Sequence, residues 1–140
     1  MFDGLTLHQL QCFDAVVTEG SFQAAADKLL RSQPSVSTSV KNLEAQLQLT
    51  LLDRSGYIIT GPELGPDTRH QSPWTGRHHE PYLLETSLPG VFAAGDVRSG
   101  SVKRAAAAVG EGSIAIRFVS EHLGRRTGFA TPDPAGPRPA

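Results

Sequence analysis

Apolar and polar positions fall into helical register three times before residue 50. Leu7, Leu10, Phe13, Val16 and Val17 recur three and four residues apart, and Thr6 stands before them as a capping side chain. Glu19-Gly20 closes that segment, since glycine enters positive φ without steric cost. Ser21 caps a second helix whose Phe22, Ala25, Ala26, Leu29 and Leu30 face inward. Ser32 caps a third, with Pro34 in its first turn, where a missing N–H costs nothing. Val36, Val40, Leu43 and Leu47 give that helix its inner face, and Ser35, Ser37, Thr38, Lys41 and Asn42 its outer one. Leu49 to Asp53 and Tyr57 to Thr60 then read as two short strands around Arg54-Ser55-Gly56, a small wing beside the three helices.

Beyond residue 60 the register fails. Gly61 to Pro81 mixes Gly, Pro, Asp, Arg and His with no period and is expected to be an irregular loop. Tyr82 to Thr86 reads as extended. Val91-Phe-Ala-Ala94, entered through Pro89-Gly90 and left through Gly95, suits a buried strand. Ser101 is placed to cap a helix reaching Leu123, weakened in the middle by Gly110 and Gly112. Its apolar face would comprise Ala105 to Ala108 with Val102, Val109, Ile114, Phe118 and Val119, a surface able to fold back on the three helices or to pair with another chain. Residues 124–140 hold four prolines among Gly, Arg and Ala and are expected to be a disordered tail.

Composition narrows the functional classes. The 140 residues are 39% hydrophobic with ten Pro and fourteen Gly, and the formal charge is −1. Up to Gly56 there are four cations against six anions, which argues against a strong non-specific grip on phosphate. No apolar run approaches the roughly 18 residues that span a bilayer. The N-terminus lacks a basic stretch followed by an apolar core, so a cytoplasmic protein without membrane contact is expected. Cys12 is the only cysteine; among Leu10, Phe13 and Val16 it reads as a buried structural thiol. His70, His78 and His79 with Asp67 and Glu80 do not match structural-zinc spacing, and no metal is expected. Trp74 reads as a cover for apolar surface rather than a stacking platform.

Two constellations carry chemistry. In the first, two helices meet at Arg31-Ser32 and the second shows small polar residues outward, as a helix entering the major groove requires. Gln33 and Ser35 could reach base edges or phosphate, Thr38 offers a methyl and a hydroxyl, and Lys41 and Asn42 could hold the backbone or an adenine edge. On pattern alone, a DNA reader and a plain three-helix core with a polar surface stand level. The order Leu7-His-Gln-Leu10, Phe13, Gly20-Ser-Phe22, Ala25-Ala26, Leu29, Ser32-Gln-Pro-Ser-Val-Ser37, Leu43-Glu44 and Leu51-Leu-Asp-Arg54 resembles the winged helix-turn-helix of LysR-type transcriptional regulators. The resemblance implies a recognition helix from Ser32 to Leu47 and a wing Arg54 that meets phosphate or minor groove. It implies DNA contacts from Ser32, Gln33, Ser35, Ser37, Thr38, Lys41, Asn42 and Arg54. The family commonly carries a basic residue near Thr38, so weaker affinity is implied, and its linker helix and effector domain have no counterpart here.

In the second constellation, Asp96 follows the apolar run and a helix start lies close behind, an arrangement that could face a diphosphate and its polyol. On pattern alone a plain turn is favoured. Thr86-Ser-Leu-Pro-Gly-Val-Phe-Ala-Ala-Gly-Asp-Val-Arg98, with Lys103-Arg104 and Ala108-Val-Gly-Glu-Gly-Ser113, resembles the C-terminal end of thioredoxin reductase-like flavoproteins. Tyr57 to Leu64 and Pro81 to Glu85 fit the stretch upstream of it. That resemblance implies FAD contacts from Gly95, Asp96, Lys103, Arg104 and Ala105. The site would be incomplete, because the Gly-x-Gly-x-x-Gly fingerprint, the nicotinamide domain and a Cys-x-x-Cys are all absent. No catalysis and at best marginal FAD affinity are therefore expected.

The sequence thus predicts a mainly α chain with minor β: a winged helix-turn-helix over residues 1–56, an incomplete α/β flavoprotein fragment over 57–123, and a tail over 124–140. The expected function is DNA-binding transcriptional regulation, with duplex DNA as partner and a second copy or a reductase-like protein as further partners. The alternative is a catalytically incomplete FAD-dependent oxidoreductase fragment.

Overall fold

The computed structural model describes residues 4–66, 73–75 and 79–127. Three helices pack together: α1 (Leu7–Glu19), α2 (Phe22–Lys28) and α3 (Gln33–Leu47). Their starts follow the expected caps. Thr6 Oγ1 accepts the Gln9 amide at 3.2 Å while Gln9 Oε1 accepts the Thr6 amide at 2.8 Å, a reciprocal capping box. Ser21 and Ser32 accept the amides of Ala24 and Ser35. Gly20 ends α1 in the left-handed region, with its N–H on the Val16 carbonyl.

The core holds Cys12, Ala15, Val16, Ala25, Ala26, Val36, Val40 and Leu52, with Phe13, Val17, Phe22, Leu29, Leu51 and Ile58 packed around it. Two details differ from the expected faces. On α1 the buried stripe runs through Gln9, Cys12, Ala15 and Val16, so Leu7 and Leu10 lie on the far side, in solvent. Leu30 points outward and is 92% exposed. The cause is the end of α2: the Arg31 N–H reaches the Ala26 carbonyl and the Leu30 N–H that of Asp27, with Leu30 at φ 53°. This is a Schellman ending, which swings Leu30 away from the core. The same pair of bonds ends α3, from Leu49 to Glu44 and from Gln48 to Ala45, with Gln48 at φ 55°.

The wing is a hairpin pairing rather than two regular strands. Leu52 and Ile58 form an antiparallel bridge, flanked by Asp53 N–H to Tyr57 O (2.8 Å) and Ile59 N–H to Leu51 O (3.1 Å). Its turn needs glycine at position 56. There φ is +97°, and a Cβ would lie 2.7 Å from Val16 Cγ1 in the core.

The second half differs from the expected flavoprotein piece. Among the described residues there is no sheet, only bridges gathered around Tyr57–Thr60. Ile58 bridges Arg98 in parallel, Thr60 bridges Thr86 and Glu85 bridges Phe92, both antiparallel. The run from Val91 to Ala94 is therefore one arm of an irregular hairpin with 84–86, and Val91 is exposed. Residues 61–63 form a single 3-10 turn. The last helix, α4 (Ala105–Thr127), starts four residues after Ser101 and continues past Leu123. Ser101 does not cap it, because its hydroxyl donates to Glu111 Oε1 instead. The first four residues of the expected tail belong to α4, and 128–140 lie outside the described residues.

The inward face of α4 also differs from the expected one. Phe118 stacks on Tyr82 at 5.0 Å, His122 is buried edge-on against Phe92, and Arg125 lies over the Tyr82 ring. Of the residues expected inward, Val109, Ile114 and Val119 are exposed, as is Val102 just before the helix. Trp74 is buried, its indole N–H donating to the Ser87 carbonyl at 2.7 Å. Asp67, His70 and His78 lie outside the described residues.

Candidate nucleic-acid interface

The first half of α3 rises from a Ser cap and a Pro in its first turn, so its free amides point out of the N-terminal end. Gln33, Ser37 and Lys41 stand at i, i+4 and i+8 and form one row. That row lines an open groove of about 360 Å³ whose opposite wall is Leu52, Asp53 and Arg54 of the wing, with Phe22, Val40 and Glu44 in between. Lys41 and Arg54 are both exposed. Thus the structure brings Gln33, Ser37, Lys41 and Arg54 together around one concavity. Thr38 and Asn42 occupy the adjoining row, exposed. Ser32 and Ser35 serve the helix itself: one caps it, and the other offers its carbonyl to the Ser39 hydroxyl at 3.0 Å.

Two acids in the groove were not singled out as site residues, and both hold the wing. Glu44 Oε1 accepts the Leu51 amide at 2.7 Å and the Leu52 amide at 3.1 Å, tying the wing root to α3. Asp53 Oδ1 accepts the amides of Ser55 (2.8 Å) and Tyr57 (3.0 Å), and Oδ2 accepts the Ser99 hydroxyl at 2.9 Å. Burial works to raise the Asp53 carboxyl. The Tyr57 amide, the Ser99 hydroxyl and the Ser55 and Gly56 amides outweigh it and hold the group below its ordinary value. These carboxylates face donors of their own fold, which leaves the cations of the groove turned to solvent. An acid followed by a turn of Arg-Ser-Gly was the available signal for Asp53. Elsewhere, Lys28 is drawn to Glu19 at 2.6 Å.

The residues proposed for a flavin do other work. Gly95 donates its amide to Glu111 Oε2 at 2.7 Å. Asp96 is exposed, and its carbonyl accepts the Lys103 ammonium, which also lies 3.8 Å from the centre of the Tyr57 ring. Arg104 and Ala105 are exposed where α4 begins. Arg98 grips Glu111 with two nitrogens, Nη2 to Oε1 at 2.7 Å and Nε to Oε2 at 3.2 Å. The Arg98 bond first, then the Gly95 amide and the Ser101 hydroxyl against burial, hold the Glu111 carboxyl down at about 2. A diphosphate approaching the Gly95 amide would therefore meet a carboxylate already seated there. The residues present do not fit a flavin, and no parallel sheet supports one among the described residues.

Residues 7–61 match the family model described as bacterial regulatory helix-turn-helix protein, lysR family. The chain carries a LysR-family helix-turn-helix DNA-binding domain in its first unit. Among curated relatives, a "Probable RuBisCO transcriptional regulator" of Cyanidioschyzon merolae is 58% identical over 50 residues, covering 36% of this chain and 16% of the relative. Proteins with the same description from Trichormus variabilis and Gracilaria tenuistipitata var. liui are 55% and 48% identical over 60 residues, covering 43% of this chain and 18% and 19% of theirs. The chain thus spans less than a fifth of the length of these relatives. No solved structure matches it. The thioredoxin reductase-like resemblance gains no support from these findings. No helix among the described residues is long and apolar enough to cross a membrane.

Proposed function

We propose that the chain is a sequence-specific DNA-binding transcriptional regulator that lays α3 in the major groove and the wing against the neighbouring backbone. The observation that carries this reading is the row Gln33, Ser37 and Lys41 facing Arg54 across one groove, inside a unit of the lysR helix-turn-helix family. Gln33, Thr38 and Asn42 have the donors and acceptors to read base edges, while Lys41 and Arg54 supply charge for phosphate. Ser32, Ser35 and Ser37 sit near the helix start, where amides and hydroxyls meet backbone oxygens. A second copy would supply the second half-site that a reader of this kind uses.

Fluorescence anisotropy of labelled duplexes tests it, with the gene's own upstream region and RuBisCO promoters as the panel, since the relatives carry that description. Binding that outcompetes scrambled duplex and weakens with salt is the expected result. Lys41→Ala is expected to lower the slope of log affinity against log salt by about one, the signature of a lost phosphate contact. No binding to any duplex at low salt would overturn the reading.

A further inference from the structure

We propose that the loop from Gly95 to Lys103 positions the wing for DNA, with Ser99 as the residue that sets Arg54. The inference rests on the DNA-reading function above and adds to it a role for the second half of the chain. From its own side the wing is held by the two backbone bonds of the Leu52–Ile58 bridge, the turn bond from the Gly56 amide to the Asp53 carbonyl, the Glu44 and Asp53 carboxylates, and Leu52 in the core. A two-stranded hairpin of that size is marginal in water on its own. The loop adds a second set of ties on the opposite flank. The Ile58 amide donates to the Val97 carbonyl at 2.9 Å, and the Ser99 amide donates to the Ile58 carbonyl at 2.8 Å, which fixes the register of the returning arm. Lys103 sits on the face of Tyr57. Most directly, the Ser99 hydroxyl donates to Asp53 Oδ2, and Asp53 immediately precedes Arg54.

The geometry makes Asp53 a two-sided anchor. One oxygen shapes the turn through Ser55 and Tyr57, and the other is held from 46 residues away by Ser99. A hydrogen bond to a carboxylate is stronger than a neutral one, so this single hydroxyl has leverage on the tilt of the turn. Removing it leaves Asp53 held only by the turn amides of its own wing, unties that turn from the loop, and lets Arg54 drift from the row on α3. Ser99 is a positioning residue: it acts on DNA only through the wing.

The test uses the full chain and compares Ser99→Ala, Ser99→Thr, Arg54→Ala, Lys41→Ala and the two double variants combining Ser99→Ala with each of the last two. Anisotropy against the preferred duplex is expected to show about three- to tenfold weaker binding for Ser99→Ala, the share of such a hydrogen bond that pre-organises the wing for DNA, with a shallower salt slope. Ser99→Thr, which keeps the hydroxyl, restores binding. Ser99→Ala adds nothing in the Arg54→Ala background yet adds fully to Lys41→Ala. Amide hydrogen exchange at Ser55 and Tyr57 without DNA is expected to quicken in Ser99→Ala and return to the parent rate in Ser99→Thr. Unchanged exchange, unchanged affinity, or losses that add in the Arg54→Ala background would overturn the positioning role. A parent protein that binds no duplex, with quickened exchange in Ser99→Ala, would overturn the DNA reading while leaving the wing's dependence on Ser99 in place.

Discussion

Leu30 and Gly56 show how much depends on single backbone angles in this chain. Leu30 is left-handed at φ 53° with its side chain in water, so it carries the conformational cost of a β-carbon without burial in return. Leu30→Gly is expected to stabilise the protein by about 0.5–1 kcal/mol, less strain set against a more flexible unfolded chain. A rise in the urea midpoint would register it. Gly56 is the opposite case. An alanine there would take φ near +97° and press on Val16, a β-branched side chain with no room to turn in the core. Gly56→Ala is expected to cost about 2–3 kcal/mol, seen as a lower urea midpoint. Gly20 and Gly56 were legible as turn positions because glycine announces itself. Leu30 and Gln48 were not: each closes a helix with the bonds usually given to glycine, and nothing in their side chains marks it.

At the scale of elements, the three capped helices could be read almost residue by residue, since Thr6, Ser21 and Ser32 each stand directly before an apolar period. The start of α4 could not. Ser101 has the look of a cap, yet its hydroxyl joins Arg98 and the Gly95 amide on Glu111, and the helix waits until Ala105. That knot gives α4 an acid sensitivity. Glu111 is held at about 2 against an ordinary 4.5, so the folded state binds this proton later than the unfolded chain does. Its contribution is whole above pH 4.5 and drains away as the pH falls from there towards 2. Asp53, held below its ordinary 3.8, likewise keeps its share of the wing above that value and withdraws it as the pH falls further. Far-ultraviolet circular dichroism between pH 6 and 2 is expected to show helix loss through that window. Glu111→Gln should be less stable at neutral pH and flatter across it.

For the molecule as a whole, the first half was legible because helices and caps are local, and the lysR-like order of residues extends through them. The second half was read as a buried strand and helix lifted from a flavoprotein, because its short apolar run has no period to say what it pairs with. Its real partners are distant in sequence: Ser99 with Asp53, Arg98 with Thr60 and Glu111, Phe118 with Tyr82. None of those pairings leaves a mark in local spacing. The row Gln33, Ser37, Lys41 and Arg54 was recoverable residue by residue, but the carboxylates behind it emerge only once the wing is folded against α3.

The segment from Tyr57 to Thr60 has neighbours on both flanks, Leu51 to Asp53 on one and Val97 to Ser99 on the other. Cutting the chain where the family match ends, at residue 61, would strip one flank and strand the Ile58 amide and carbonyl, with the Gly61 amide close by. Such an open β-edge recruits a strand from whatever molecule is nearest, which in a concentrated sample is another copy. The excised head is therefore expected to run on size-exclusion chromatography as concentration-dependent oligomers. In the full chain the residues that follow cover this edge of the helix-turn-helix unit.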